Sequence, residues 1–424
     1  MKAVITPGRS EGSAVRIPSS KSLSHRALIA ASLAKGESEI RNLVENNDTE
    51  ATMNCLKQLG AEFTKTEDGV LHVKGTNGVS DYTGELLDCG ESGSTLRFLI
   101  PLFSLTGKEV RFTGHGKLMS RPQSVYEELF RERGLRFEQE GEILRIKGAL
   151  PSGSYRVKGD ISSQFISGLL FALPLLDGAS TITVIPPYES RSYVGLTEDV
   201  LALSGIHVKD ALNKIRLLGY DQYQPIHTVI DGDDSQGAFF AVLALVSGMP
   251  LTVEGMRHES RQGDHVIIRL IEAAGGRSIP VEGGYRFEPG KTIKPFEADL
   301  SDCPDLGPVL FALAAMGEGT STFRNCARLR IKESDRIACM KEELEKLGAV
   351  LEEYGDTVLV TGSETIRGNV TLSGHNDHRI VMALSVLACA AEGPVTIEGA
   401  EAVAKSYPDF FKDFEKAGGK VTTI

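Results

Sequence analysis

Cations, hydroxyls and carboxylates gather at the starts of apolar runs in this sequence. "PSSKSLSHRAL" carries Lys21, Ser22 and Arg26 into an alanine-rich stretch. "GESGSTLRFL" does the same with Gly93, Ser94 and Arg97, and "ISSQFISGLL" with Ser162, Ser163 and Gln164. "CPDLGPVL" supplies Asp305, and "NDHRIVMA" supplies Asp377, His378 and Arg379. Later starts add Arg121 before Pro122, then Lys332, Glu333 and Arg336 in "RIKESDR", and Lys405 in "AKSYPDFF". The leading N–H groups of a helix have no partner within it, and the helix dipole adds partial positive charge there, so a phosphate or carboxylate fits such an end. Ser94 and Asp234, taken singly, read as N-caps. Arg26 and Arg379 are sharper signals, because a cation at a helix start opposes the dipole. Starts of this kind, if they share one place, bind a small molecule with several negative charges.

The elements that carry these residues repeat. Each of six copies reads as a polar start, an apolar helix, Gly and a short β-type run. The starts are roughly 70 residues apart, longer than common solenoid units. A second helix follows in every copy and ends in Gly before another strand-like run, as in "CLKQLGAEF", "LFRERGLRF" and "ELEKLGAVL"; Gly there suits a left-handed C-cap. The first helices, such as "FISGLLFALPLL" and "GAFFAVLALVSG", are apolar all round and are expected to be buried. The second, such as "RIACMKEELEKLG", are amphipathic and are expected to face water. Alternation in "EILRIKG" (Glu142–Gly148) and "VTLSG" (Val370–Gly374) adds strands. Six units give an α/β chain of two similar domains with three units each. The crossing falls within Gly219–Asp234, and "AVITPG" fits either half.

Composition narrows the function. The 424 residues suit two domains, and 41% apolar with 24% charged residues is ordinary for a globular chain. A net charge of −11 argues against general nucleic-acid binding, so any anionic ligand must be held by a local set of cations. No apolar run is long enough to cross a bilayer, and the N-terminus lacks the marks of a signal or transit peptide, so the expected compartment is the cytoplasm. Six cysteines without metal-ligand spacing read as buried, reduced thiols. "ESGST" lacks the Lys of a phosphate loop, no G-x-G-x-x-G follows a strand, and "GHNDHR" does not suffice for a metal, so no metal or cofactor is expected.

Eight motifs in order, the seven above together with "MSRP", resemble the 5-enolpyruvylshikimate-3-phosphate synthase (3-phosphoshikimate 1-carboxyvinyltransferase) family of enolpyruvyl transferases over nearly the full length. The resemblance implies an inverse α/β barrel type of fold: two domains, each of three βαβαββ repeats around buried helices. They would comprise residues 18–231, and 1–17 plus 232–424, with a ligand cleft between them. It implies transfer of the enolpyruvyl group of phosphoenolpyruvate to the 5-hydroxyl of shikimate 3-phosphate with release of phosphate, without a cofactor, by a monomer. Carried over position by position, Asp305 and Glu333 correspond to the acid/base pair, with Lys21 a third candidate. Lys21, Gly93, Arg121, Gln164, Arg336, Arg379 and Lys405 correspond to the phosphoenolpyruvate site. Lys21, Ser22, Arg26, Ser162, Ser163, Gln164, Ser190, Asp305 and Lys332 correspond to the shikimate 3-phosphate site, and Tyr193 in "ESRSYVG" is a weaker match.

The sequence departs from the family pattern at Glu91, where Asn is usual, at Ser94, where Thr is common, and at Arg328, where many members have Asn. A carboxylate at 91 must turn away from a phosphate or pair with an Arg such as Arg121. Two rivals remain. The sister transferase acting on UDP-N-acetylglucosamine carries a loop cysteine before its Arg-Pro and a Lys-Asn pair; here the loop is "GHGKLMSRP" and the pair is Lys21-Ser22. A non-catalytic anion-binding protein would have little use for Asp305 and Glu333.

Overall fold

The computed structural model describes residues 1–12, 14–79 and 82–424. Its α-helices come in pairs: α1 (Lys21–Leu33) with α2 (Asn47–Lys57), α3 (Gly93–Ser104) with α4 (Ser124–Glu132), and α5 (Ser163–Ala172) with α6 (Arg191–Leu203). Then follow α7 (Asp234–Val246) with α8 (Ile267–Ala273), α9 (Gly307–Ala314) with α10 (Arg336–Leu347), and α11 (His378–Ala388) with α12 (Phe410–Lys416). Six four-stranded sheets accompany them among the described residues, one for each pair.

One repeat shows the plan. The strand Ser154–Lys158 runs parallel to Ser180–Ile185, and α5 makes the crossover that a parallel pair needs. After α6, the hairpin Lys209–Ala211 and Lys214–Leu217 closes the sheet antiparallel to Ser180–Ile185. This is a βαβαββ unit.

Three sheets are completed by strands from elsewhere in the chain. His227–Val229 pairs in parallel with Glu37–Arg41 of the first repeat. Val15–Arg16 pairs in parallel with Leu251–Glu254 of the fourth. Lys2–Thr6 lies antiparallel between Val395–Glu398 and Lys420–Thr423, so the N-terminal strand belongs with the last repeat. Two compact units result: Ser19–Ile230, and Met1–Pro18 with Asp231–Ile424. Each has an α/β fold of three repeats and its own apolar core.

The first helix of each repeat forms the core. All thirteen residues of α7 are buried, with Asp233 as its N-cap. α7, α9 and α11 pack on one another within one unit, and α3 packs on α5 within the other. The second helices are two-faced: on α10, Ile337, Met340, Leu344 and Leu347 are buried while Lys341, Glu342 and Glu345 are exposed. Glu343 departs from the expected polar face and is fully buried. Among the described residues no helix is long and apolar enough to cross a membrane. All six cysteines are free thiols, and five of them are buried.

α3 contains Pro101, which has no N–H to give to the carbonyl of Arg97 four residues earlier. The Tyr126 hydroxyl of α4 reaches Arg97 O at 2.7 Å and Phe165 O at 3.0 Å, so the freed carbonyl gains a donor. α5 approaches through Gly168. A Cβ there would lie 2.3 Å from the Tyr126 hydroxyl and 2.4 Å from Arg97 O. We expect Gly168→Ala to lower unfolding free energy by about 1–3 kcal/mol through overpacking against backbone, read by urea denaturation.

Candidate active site

In the unit Ser19–Ile230, the polar residues cluster at the starts of α1, α3 and α5. Ser20, Ser92 and Ser162 are the N-caps, each accepting a backbone N–H of the first turn. Lys21 follows the first cap, and its ammonium lies 2.9 Å from Asp48 at the start of α2. A Cβ on Gly93 would meet Arg121 Nη1 at 3.0 Å and Gln164 Oε1 at 3.4 Å, so Gly93, Arg121 and Gln164 share one place. Gln164 accepts from Arg97 Nη1 at 2.9 Å and donates to Ser94 at 3.0 Å. Ser163 is buried beside Gln164.

Arg26 sits a turn deeper. Its side chain donates to Thr197 Oγ1 at 2.8 Å, to the Ser22 carbonyl at 2.7 Å and to the Tyr193 carbonyl at 2.8 Å. These partners are neutral oxygens, and burial pulls the guanidinium down to about 10. Ser190, buried with φ +51°, precedes α6, which carries Tyr193 and Thr197. Arg26, Ser22, Ser190 and Tyr193 are thus neighbours.

The unit Met1–Pro18 with Asp231–Ile424 holds a denser cluster. Arg336, 1% exposed at the first position of α10, donates to Asp305 at 2.8 Å, to Glu333 at 2.7 Å and to Asp377 at 2.8 Å. Arg379 of α11 reaches Asp305 at 3.2 Å and Ser235 of α7 at 3.0 Å, and Lys332 reaches Asp305 at 3.3 Å. Burial alone would raise the Asp305 carboxyl, but Arg379, Lys332 and Arg336 hold it well below the ordinary aspartate range. Burial pulls Lys332 down to about 8 against the opposing pull of Asp305. Lys405 stands on a separate contact, with its ammonium 2.6 Å from the carbonyl of Asn376, the residue before Asp377.

Several expectations change. Ser92 and Asp233, not Ser94 and Asp234, cap α3 and α7, because each helix starts closer to the preceding residue than the motif suggests. Ser94 serves Gln164 instead, and Asp234 meets His265 at 3.0 Å. Glu91 turns its carboxylate over Gly116, where a Cβ would be 2.4 Å from Glu91 Oε2. Arg328 is buried and donates to the Ser301 carbonyl at 3.4 Å. Residues absent from the expected set also appear, Asp48 under Lys21 and Ser235 under Arg379, while Asp377, read only as part of the last helix start, is the partner of Arg336 and N-cap of α11. Each is an acid or hydroxyl at a helix start, the same signal as its neighbours.

Two clusters of cations with carboxylates placed among them define the class: a protein that handles small polyanions and has groups suited to proton transfer. A family model for EPSP synthase (3-phosphoshikimate 1-carboxyvinyltransferase) matches residues 5–414, and the chain belongs to that family. It is 43% identical over 421 residues to the 3-phosphoshikimate 1-carboxyvinyltransferase of Clostridium kluyveri, covering 98% of this chain and 97% of the relative. It is 39% identical to the same-named protein of Clostridium perfringens strain 13, covering 99% and 98%. Among solved structures it is similar to EPSP synthase from Acinetobacter baumannii, with a TM-score of 0.79, 26% identity and complete coverage of both chains. The fold is also similar to the enolpyruvyl transferase NikO from Streptomyces tendae, at a TM-score of 0.78 and 18% identity, covering 99% of this chain and 98% of that one.

Asp377 is fully buried, and although burial opposes it, Arg336 keeps its carboxyl below the ordinary value of 3.8. Its stabilising effect is therefore present above that value and lost as pH falls through the folded-state value. We expect Asp377→Asn, which keeps the capping oxygen, to cost about 3 kcal/mol at pH 7 because Arg336 loses a buried counter-charge. Urea denaturation at pH 7 and near pH 3 checks this: the gap between variant and wild type should narrow at the lower pH.

Proposed function

We propose that this chain transfers the enolpyruvyl group of phosphoenolpyruvate to the 5-hydroxyl of shikimate 3-phosphate, in the route to chorismate and the aromatic amino acids. The observation that carries the reading is Asp305: an ionised carboxylate held among three cations, sharing Arg336 with a second carboxylate, Glu333.

In the addition step, the 5-hydroxyl oxygen bonds to C2 of phosphoenolpyruvate, the hydroxyl proton leaves, and the methylene carbon gains a proton. In the elimination step, the methyl carbon loses a proton, the C2–O bond to phosphate breaks, and phosphate departs. Asp305, Glu333 and Lys21 are the proposed acid/base groups, since two proton positions must be served in opposite senses. Lys21, Gly93, Arg121, Gln164, Arg336, Arg379 and Lys405 are proposed to hold phosphoenolpyruvate. Arginine forks suit its carboxylate and phosphate, and an absent Cβ at Gly93 lets backbone approach. Lys21, Ser22, Arg26, Ser162, Ser163, Gln164, Ser190, Asp305 and Lys332 are proposed to hold shikimate 3-phosphate. The reading requires the residue sets of both units, taken as the two three-repeat domains, to serve one pair of reactants. It also takes the protein to be a cytoplasmic monomer that needs no metal or cofactor.

Lys21-Ser22 and the cysteine-free loop before Arg121 favour this acceptor over UDP-N-acetylglucosamine. A coupled phosphate-release assay with each acceptor tests the choice: release is expected with shikimate 3-phosphate alone, and release with neither supports a binding protein.

We expect Lys21→Ala to lower kcat by at least about a hundredfold, since it removes a cation proposed to touch both reactants; near-normal turnover would remove Lys21 from the mechanism. Lys332 should also write itself into the pH profile. Its ammonium discharges as pH rises through about 8, so the KM for shikimate 3-phosphate should climb above that pH. Lys332→Arg should flatten the climb, because arginine stays protonated there.

A further inference from the structure

Seven residues after Arg336, two turns along the same face of α10, lies Glu343. Its side chain is 0% exposed. Oε2 accepts the Ser373 amide N–H at 3.2 Å, and Oε1 is 2.7 Å from His375 Nε2. Lys346 supplies the compensating charge, with its ammonium 2.9 Å and 3.0 Å from the two oxygens, and Glu342 shares that ammonium at 3.0 Å. Cys339, on the same helix, also faces the His375 ring. Lys346 on both acids fills the place a cation would take, so the cluster reads as an internal clamp, not a metal site.

What the clamp holds is short. Ser373 ends the strand Val370–Ser373, and α11 begins at His378. Between them His375 and Asn376 stand in succession at φ +49° and +53°, a left-handed conformation that costs energy for residues with a side chain. His375 N–H donates back to Ser373 Oγ at 3.1 Å. The next two residues carry site groups: the Asn376 carbonyl receives Lys405, and the Asp377 carboxylate receives Arg336. One face of α10 therefore grips this turn at both ends, Glu343 at Ser373 and His375, and Arg336 at Asp377. Strained backbone persists only where its surroundings over-determine it, and here the surroundings are a buried carboxylate.

We propose that Glu343, acting through His375, is a positioning residue for phosphoenolpyruvate binding: it holds the Ser373–Asp377 turn in the conformation that aims the Asn376 carbonyl at Lys405 and Asp377 at Arg336. The inference rests on the reading of Lys405 and Arg336 as phosphoenolpyruvate ligands.

Steady-state kinetics and thermal unfolding of Glu343→Ala, Glu343→Gln, His375→Ala, Lys405→Ala and the Glu343→Ala/Lys405→Ala double variant test it. Glu343→Ala should raise the KM for phosphoenolpyruvate roughly tenfold to a hundredfold, the scale of a displaced ligand-positioning group, with a much smaller change in the KM for shikimate 3-phosphate. Glu343→Gln keeps an acceptor for the Ser373 amide and should recover most of the loss. The double variant should be little worse than Lys405→Ala, because coupled sites are not additive. A purely structural role would lower thermal stability without moving the KM for phosphoenolpyruvate, and that result overturns the proposal, as does full additivity with Lys405→Ala. If Glu343→Ala fails to fold, His375→Ala carries the same expectation. If Lys405→Ala raises that KM and neither Glu343→Ala nor His375→Ala does, only the positioning role falls. If Lys405→Ala leaves it unchanged, the site reading falls and takes the positioning role with it.

Discussion

The Arg336 guanidinium is 1% exposed, and three carboxylates on three different stretches of chain surround it. Asp305 comes from the turn before α9, Glu333 from the link into α10, and Asp377 from the N-cap of α11. Removing an ion from water is expensive, and leaving one partner of a buried pair alone is worse than burying neither. Satisfying one side chain therefore fixes the fifth and sixth repeats against each other at their helix starts. The planar fork makes this possible, because separate N–H groups point to separate acids; a lysine at 336 offers a point charge with no such division.

The other unit settles its cations differently. Arg26 is buried among hydroxyl and carbonyl oxygens and lies over the Phe98 ring at 5.0 Å, and Arg97 lies over Phe165 at 4.8 Å while bonding Gln164. Oxygen dipoles and ring faces stabilise a cation without cancelling its charge. Burial accordingly pulls the Arg26 guanidinium down to about 10. An arginine held this way gains from an arriving anion, whereas Arg336, already matched by acids, gains less.

Much of this was legible in the sequence. The sixfold order of apolar helix, Gly, strand and amphipathic helix shows through because each buried helix needs an unbroken apolar run and each turn needs its Gly. The borrowed strands were not legible: Val15–Arg16 is two residues long and His227–Val229 three, too short for alternation, and both pair with distant segments. Ser92 and Ser94 are equivalent as letters, and only the point where the helix begins chooses between them. The amphipathic pattern of "RIACMKEELEKLG" points its charged face to water, but the burial of Glu343 is set by the turn before α11 that packs against it, which no local pattern contains. Arg26 and Arg379 stood out because a cation at a helix start opposes the dipole and needs a reason; Lys21 and Arg336 also stand at helix starts. Asp48 and Asp377 stood out less, since an acid at a helix start has a sufficient local use as a cap.

The charge count around Asp305 bears on how its proton affinity can change in use. Without substrate, Lys332, Arg336 and Arg379 face Asp305, and Arg336 also meets Glu333 and Asp377. The cations hold Asp305 deprotonated, the state of a base. If phosphoenolpyruvate takes the proposed place, its carboxylate and phosphate claim Arg336 and Arg379 and bring like charge beside the acids. Both changes favour the protonated carboxyl. The same side chain then moves toward the state of an acid as the donor arrives, and returns toward a base as phosphate leaves. Glu333 and Asp377 share the same arginine with Asp305, so a change at one acid is felt by the others. A reaction that adds a proton to a carbon and later removes it is served by such an exchange, and under the proposed reading fixed cations set among carboxylates supply it.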